Sequence, residues 1–209
     1  MVDEYPVRLL IVMNDSVQST YVKHFSSILF LVISISLACI VYSASSATEL
    51  TDQLWVGMKM FPTMVSGDTK LEKKLGLDGK LLLLIVYRDS ATLAESVVER
   101  LSHIADKIST YPIRIESTDT LDFKEWESIP VAGLFIIESL PDSQFRQAIQ
   151  FGIVHHTVTF SSFTDHVRDG VLAGIHISGK IRPALNLRTL LKSEIQYNTF
   201  ILNVSKTYD

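Results

Sequence analysis

Two uninterrupted apolar runs organise the pattern of hydrophobic and polar positions along the chain. Leu81–Tyr87 has no polar alternation and lies between turn and charge signals, Asp78-Gly79-Lys80 before it and Arg88-Asp89-Ser90 after it. Val131–Ile137 is a second run of the same kind. Short bounded runs of this composition indicate strands that are buried on both faces, as in the centre of a parallel sheet. The sequence therefore predicts two central strands.

Segments with apolar residues at helical spacing alternate with these strands. The segment Ala91–Ile108 is strongly amphipathic, and Asp89 or Ser90 is expected to cap its N-terminus. An earlier helix is predicted over residues 48–62, ending near Pro62 because proline interrupts helical hydrogen bonding. Further helices are predicted over Ser143–Phe151, with Asp142 as the cap, over Leu187–Ser193 and near Thr199–Tyr208.

The remaining strands complete a fold class. Pro112–Glu116 alternates and is expected nearer an edge, Thr157–Ser161 and Val171–Ile177 read as further strands, and Ile181–Leu185 returns as a hairpin. Strands that alternate with helices predict a single α/β domain. We expect a mostly parallel sheet of about five strands with helices on both faces, which is half of a periplasmic-binding-protein-like architecture.

Composition and charge exclude several functions. The 209 residues are 47% hydrophobic and 20% charged, which indicates a globular chain. A net charge of −4 without a run of Lys and Arg argues against nucleic acid as a partner. Cys39 is the single cysteine, so neither an intrachain disulfide nor a cysteine zinc site can form. His155 and His156 are neighbours whose side chains point apart on an extended chain, so no metal is predicted. No cofactor motif is present.

The N-terminal region predicts export. A basic flank precedes the uncharged stretch 25–42, and small residues follow up to Ala47. This order is typical of a secretory signal peptide, which places the mature protein in the periplasm. The alternative is an uncleaved anchor, because the apolar stretch is just long enough to span a membrane. We therefore expect a leader over residues 1–47, starting at Met1 or Met13, and one domain over residues 48–209.

The candidate site is predicted at the carboxyl ends of the parallel strands, where open sheets bind ligands. Those ends carry Arg88 and Asp89, then Glu138, then the segment 161–166. A nucleophile at Ser161 or Ser162 is disfavoured, because no nucleophile-elbow motif is present and an adjacent Asp-His pair rarely aligns. Phe163 is either an exposed anchor or a buried residue that pins the loop. The expected site binds a ligand or partner without catalysis, through Arg88, Asp89, Ser161, Ser162, Phe163, Asp165 and His166.

The C-terminal half resembles a known family. Gly170 to Ile175 is followed by Ile181 to Asn186, then by Leu190-Leu191 and by Phe200 to Lys206. A Gly-containing strand, an apolar strand ending in Asn and a Leu-rich last helix, in this order, resemble YfiR-like proteins. The resemblance implies an exported, non-catalytic regulator or sensor that binds an inner-membrane signalling protein of the diguanylate-cyclase type. The chain lacks the cysteine pairs that some members use.

A second functional reading is a small-ligand-binding component of an ABC-type transporter. It rests on the likeness of the predicted sheet to half of a periplasmic binding protein. A two-lobed receptor needs a second lobe to close on its ligand, and residues 48–209 scarcely provide one, which favours the regulator. The sequence leaves a homodimer open.

Overall fold

The computed structural model describes residues 52–119 and 123–209. The predicted leader, 1–47, lies outside the described residues. Within the described ranges, no helix is long and apolar enough to cross a membrane. The elements in chain order are α1 (52–66), β1 (Leu81–Val86), α2 (Ala91–Ile104), β2 (Lys107–Ile108), β3 (Tyr111–Thr118), β4 (Val131–Ile136), α3 (Asp142–Val154), β5 (Val158–Ser161), β6 (Ala173–Ser178), β7 (Lys180–Asn186), α4 (Leu187–Ser193), α5 (Thr199–Val204) and β8 (Lys206–Tyr208).

The strands form one sheet in the order β2-β3-β1-β4-β5-β6-β7-β8. The five strands β3, β1, β4, β5 and β6 pair in parallel, while β2 and β7 pair antiparallel to their neighbours β3 and β6. The predicted α/β class with a mostly parallel sheet is confirmed. The sheet has eight strands, more than the five or so that were predicted. The prediction missed β2 and β8 because strands of two and three residues are too short to leave a periodic signal in the sequence. Strand order reverses between β1 and β4, which is the switch point of the sheet.

Burial on both faces explains the missing alternation in β1. Leu81, Leu83 and Ile85 belong to the core cluster that also contains α1 and α2 residues. Leu82, Leu84 and Val86 pack with α3 on the opposite face. All six side chains are buried, and each contributes about 1.5–3 kcal/mol when fully removed from water. The central strand is therefore the shared wall of two cores.

The helix α1 continues past the point at which the sequence predicted its end. Pro62 lies inside the helix, which runs to residue 66. Met64 and Val65 beyond it are fully buried, and a Cβ at Gly133 of β4 would lie 2.6 Å from the Val65 side chain. This close packing holds the helix together across the hydrogen bond that proline removes. The prediction of an end near Pro62 was wrong for this reason.

Other predicted boundaries were also wrong where tertiary pairing overrides periodicity. The helix α2 ends at Ile104, and Ile108 is instead buried in β2. Asp142 begins α3 but makes no side-chain cap, since Pro141 occupies the cap position. The strand predicted over Val171–Ile177 begins only at Ala173, and the Ile177 side chain is 45% exposed on the hairpin that β6 and β7 form. The last helix ends at Val204, after which the chain pairs as β8.

Candidate functional site

The carboxyl ends of β1, β4 and β5 lie side by side at one edge of the sheet, here called the carboxyl edge. At its switch point, the Glu138 carboxylate accepts hydrogen bonds from three consecutive backbone N–H groups of the turn between β1 and α2. Its Oε2 lies 2.7 Å from the nitrogen of Arg88, 2.8 Å from that of Asp89 and 3.4 Å from that of Ser90. Successive backbone N–H groups in a turn form an anion site, and here a side chain of the protein itself fills it.

The charge of Glu138 matches this position. Partial burial raises the pKa of the carboxyl, but the hydrogen bonds from Arg88, Asp89 and Ser90 outweigh burial and hold the pKa below its ordinary value of 4.5. The carboxylate is therefore ionised at neutral pH. It links β4 to the β1–α2 turn across about fifty residues of sequence. The position where such sheets bind anionic ligands is already occupied.

The side chains of Arg88 and Asp89 pair with each other at the surface. The Arg88 guanidinium contacts the Asp89 carboxylate through both Nε and Nη2, with Nε at 2.6 Å. The two side chains are 44% and 65% exposed, so the pair contributes little to stability. The functional groups that this turn brings to the switch point are its backbone N–H groups, which sequence reasoning about side chains did not identify.

The segment 161–166 forms a loop that is anchored by two buried serines. Ser161 Oγ lies 2.9 Å from His166 Nδ1 and accepts a hydrogen bond from the Phe163 nitrogen at 3.2 Å. Ser162 packs directly against α1, where a Cβ at Gly57 would lie 1.9 Å from its Oγ. Both serines are fully buried. The Ser161 hydroxyl group holds the loop through its two hydrogen bonds, whereas the Ser162 hydroxyl group is buried without a hydrogen-bond partner among the described residues.

The geometry does not assemble a Ser-His-Asp arrangement. Asp165 is exposed and forms an ion pair with Arg168 at 3.3 Å, while no hydrogen bond joins it to His166. Ser161 is therefore next to an imidazole that lacks the carboxylate that would orient it. The side chains of the loop contact one another, but their hydrogen bonds stabilise the loop and do not form a nucleophile–base–acid arrangement.

Three half-buried aromatic rings meet beside this loop, and they are called here the aromatic cluster: Phe145, Phe163 and His166. The His166 ring lies between the two others, with its centroid 4.6 Å from that of Phe145 and 4.7 Å from that of Phe163. Burial lowers the pKa of His166, and the charges of Asp169 and Asp165 oppose this only in part. The imidazole is therefore neutral at pH 7 and completes an apolar, partly exposed surface.

The structure brings together only part of the predicted site. Arg88 and Asp89 share the carboxyl edge with the 161–166 loop but lie two strand spacings away, about 10 Å. Two residues of the site were missed. Glu138 was expected at this edge but was not included among the site residues, and Phe145, which lies in the predicted helix Ser143–Phe151, is half-buried and was not singled out.

The described residues contain no group of three or more His, Cys, Asp or Glu side chains placed to hold a metal ion. His155 and His156 were predicted not to share an ion, and their contacts differ. The His155 ring stacks on Phe151, with centroids 4.4 Å apart, and His156 Nδ1 lies 2.8 Å from the Ser193 carbonyl oxygen. Each ring therefore has its own structural contact.

Comparison with known proteins gives a structural likeness and no match in sequence. No protein-family model and no curated protein matches the chain. Among solved structures, it is similar to a Streptococcus pneumonia protein described as an ABC domain in complex with L-Trp, with a TM-score of 0.47 and 12% sequence identity. The match covers 68% of this chain and 61% of that one, so this chain spans less than two thirds of its length. At this TM-score and identity, the likeness says nothing about what this chain binds.

Proposed function

We propose that this protein is an exported, non-catalytic regulatory protein that acts by binding a protein partner of the bacterial envelope through the aromatic cluster. The observation that carries the proposal is the placement of Phe145, Phe163 and His166 at the carboxyl edge. Two Phe rings held half-exposed around a neutral imidazole form an apolar surface of the kind that anchors protein interfaces. The exposed charges of Asp165 and Arg168 border it as a polar rim.

The filled switch point favours a protein partner over a small ligand at this edge. A receptor domain of a transporter would bind its ligand beyond the carboxyl ends of β1 and β4. Glu138 already uses the three N–H groups there, and its negative charge repels a second anion. The alternative function, a small-ligand-binding component of an ABC-type transporter, would require this carboxylate to leave its position.

Features of the sequence support the proposed class of partner. The signal-peptide pattern before residue 48 and the resemblance of residues 157–206 to YfiR-like proteins support a periplasmic location and an inner-membrane signalling protein as the partner. The buried serines and the separation of Asp165 from His166 support action without catalysis. These features together describe a regulator that contacts the periplasmic part of a membrane enzyme.

Site-specific photo-crosslinking in cells tests this function. The photoreactive residue p-benzoylphenylalanine replaces Phe163 in one variant and Phe200 in a control, because Phe200 is also a surface Phe, 67% exposed on α5. The proposal predicts one discrete membrane-protein adduct from position 163, absent from position 200, in the envelope fraction. A signalling enzyme in the adduct supports the regulator and a permease supports the transporter component. Identical products at both positions, or a cytoplasmic protein without adducts, would contradict the proposal.

A further inference from the structure

A cavity of about 270 Å³ opens at the opposite edge of the sheet, where β4 begins. It is called here the amino-edge cavity. Three segments that each follow a helix C-terminus build its polar walls: residues 68–74 after α1, residues 155–156 after α3, and Glu194 after α4. Pro130, Val131 and Ile195 supply an apolar floor. None of these residues takes part in the aromatic cluster or the switch point.

The wall formed by residues 68–74 is cationic. Lys74 is buried and forms an ion pair with buried Asp68, with Nζ 2.5 Å from Oδ2, so these two charges offset each other. Lys70 and Lys73 also line the cavity, and neither forms an ion pair with a residue in the described part of the chain. This wall therefore offers two ammonium groups that are free to meet a negative charge.

The wall formed by the ends of α3 and α4 presents acceptors. The carbonyl oxygen of Ser193 can only accept, so the Nδ1 of His156 donates to it and fixes the imidazole ring against the end of α4. Glu194 contributes a carboxylate, and the free carbonyl groups at helix C-termini carry partial negative charge. This second wall favours a donor or a positive charge.

Backbone conformation indicates that these two side chains have a use. His156 and Glu194 are both in the left-handed region, with φ of 55° and 54°, at positions after helix ends where Gly or Asn is the usual residue. Non-glycine residues in this region are strained and are concentrated at functional sites. Two of the four such residues in the described ranges line this one cavity. Helix termination alone would be served better by glycine.

We infer that the amino-edge cavity binds a small zwitterion, with its anionic group at Lys70 and Lys73 and its ammonium group at Glu194. Because the walls carry opposite charge, a molecule with only one charge satisfies only one of them. The volume of about 270 Å³ is large enough for a molecule of amino-acid size. The apolar floor receives a short aliphatic side chain. The site would give the proposed regulator a second input that is separate from its partner surface.

Three matched probes test the inference by isothermal titration calorimetry on the full chain. L-leucine has both charges, 4-methylpentanoate lacks the ammonium group, and 3-methylbutylamine lacks the carboxylate. The inference predicts that leucine binds and that each single-charge analogue binds at least about tenfold more weakly, since one charged hydrogen-bonding wall goes unused. Equal affinities for the three probes, or no leucine binding up to 50 mM as an upper test concentration, would overturn it.

Variants locate the binding. The double change Lys70→Ala and Lys73→Ala should weaken leucine binding about tenfold or more and leave the affinity for 3-methylbutylamine unchanged. Glu194→Gln should do the reverse, weakening leucine and the amine but not the carboxylate probe. Lys180→Ala with Arg182→Ala removes two exposed positive charges of the β6–β7 hairpin and serves as the charge-matched control. Leucine affinity that falls equally in this control would show that general electrostatics, not the cavity, determines binding.

Discussion

Glu138 offers the sharpest test of how the carboxyl edge is built. Replacing it with alanine removes the carboxylate that accepts hydrogen bonds from the N–H groups of Arg88, Asp89 and Ser90. Those donors lie in the turn between β1 and α2, and within the described ranges they have no other hydrogen-bond acceptor. The change therefore exposes a vacant anion site at the switch point while leaving both core clusters untouched.

The magnitude follows from the geometry. Two of the three hydrogen bonds are short and charge-assisted, a class that contributes about 1.5–3 kcal/mol each when buried. Glu138 is half-exposed, so water replaces part of that energy, while the α2 dipole adds about 0.3–1 kcal/mol. We expect Glu138→Ala to lower the free energy of unfolding by about 2 kcal/mol. Because the folded pKa of Glu138 lies below 4.5, this difference should be present above that pH and be lost as the pH falls through the folded pKa.

Urea unfolding and anion rescue measure this effect. Added formate should raise the melting temperature of Glu138→Ala, because the anion occupies the vacated N–H groups, and should have no such effect on the wild-type protein. Glu99→Ala, which removes an exposed carboxylate from the outer face of α2, is the matched control. If Glu138→Ala costs no more than this control and formate does not distinguish them, Glu138 does not fill an anion site.

Three further predictions concern stability. Asn186→Ala should lower the free energy of unfolding in urea by about 1–3 kcal/mol, because Asn186 accepts a hydrogen bond from the Thr189 nitrogen at 2.8 Å as the cap of α4 and donates one to the Val167 carbonyl at 2.8 Å. Asn186→Ser keeps only the cap and should recover part of this loss. Lys74→Met should lower the free energy of unfolding, measured by calorimetry, by about 3–5 kcal/mol because it leaves the buried Asp68 carboxylate without its ion-pair partner. The double variant with Asp68→Leu should regain most of that stability. Since burial lowers the pKa of His166 from 6.5, wild-type stability should fall as the pH drops below 6.5, and His166→Asn should remove that slope.

Sequence patterns predicted the fold wherever local periodicity and packing agree. The runs at β1 and β4 are buried on both faces as expected, and α4 has the predicted bounds. Ser90 caps α2 through the Leu93 nitrogen. The failures occur where distant contacts decide, as at Pro62, which packing against β4 holds inside a helix, and at the chain end, which pairs with β7 instead of remaining helical.

Sequence patterns predicted which segments lie at the carboxyl edge but not how their side chains contact one another. The carboxyl edge follows from strand order, and Ser161, Phe163 and His166 do meet there. The hydrogen bonds between Glu138 and the β1–α2 turn join residues about fifty positions apart in the sequence, and local sequence patterns do not encode such a contact. Phe145 reaches His166 only because α3 crosses the sheet beside β5, which periodicity alone does not specify. The amino-edge cavity also depends on three distant helix ends.

The most direct test of the central claim is the affinity of the envelope partner for Phe163→Ala, measured beside the melting temperature and against Phe200→Ala. Phe163 is half-buried, so its truncation should cost only about 1–2 kcal/mol of stability, well below the 3–5 kcal/mol of a core Phe. If Phe163 anchors the interface, its replacement by alanine should weaken the affinity for the partner by about 2 kcal/mol, or roughly thirtyfold. The account predicts this loss for Phe163→Ala and unchanged binding for Phe200→Ala. Wild-type affinity in a folded Phe163→Ala variant would contradict it.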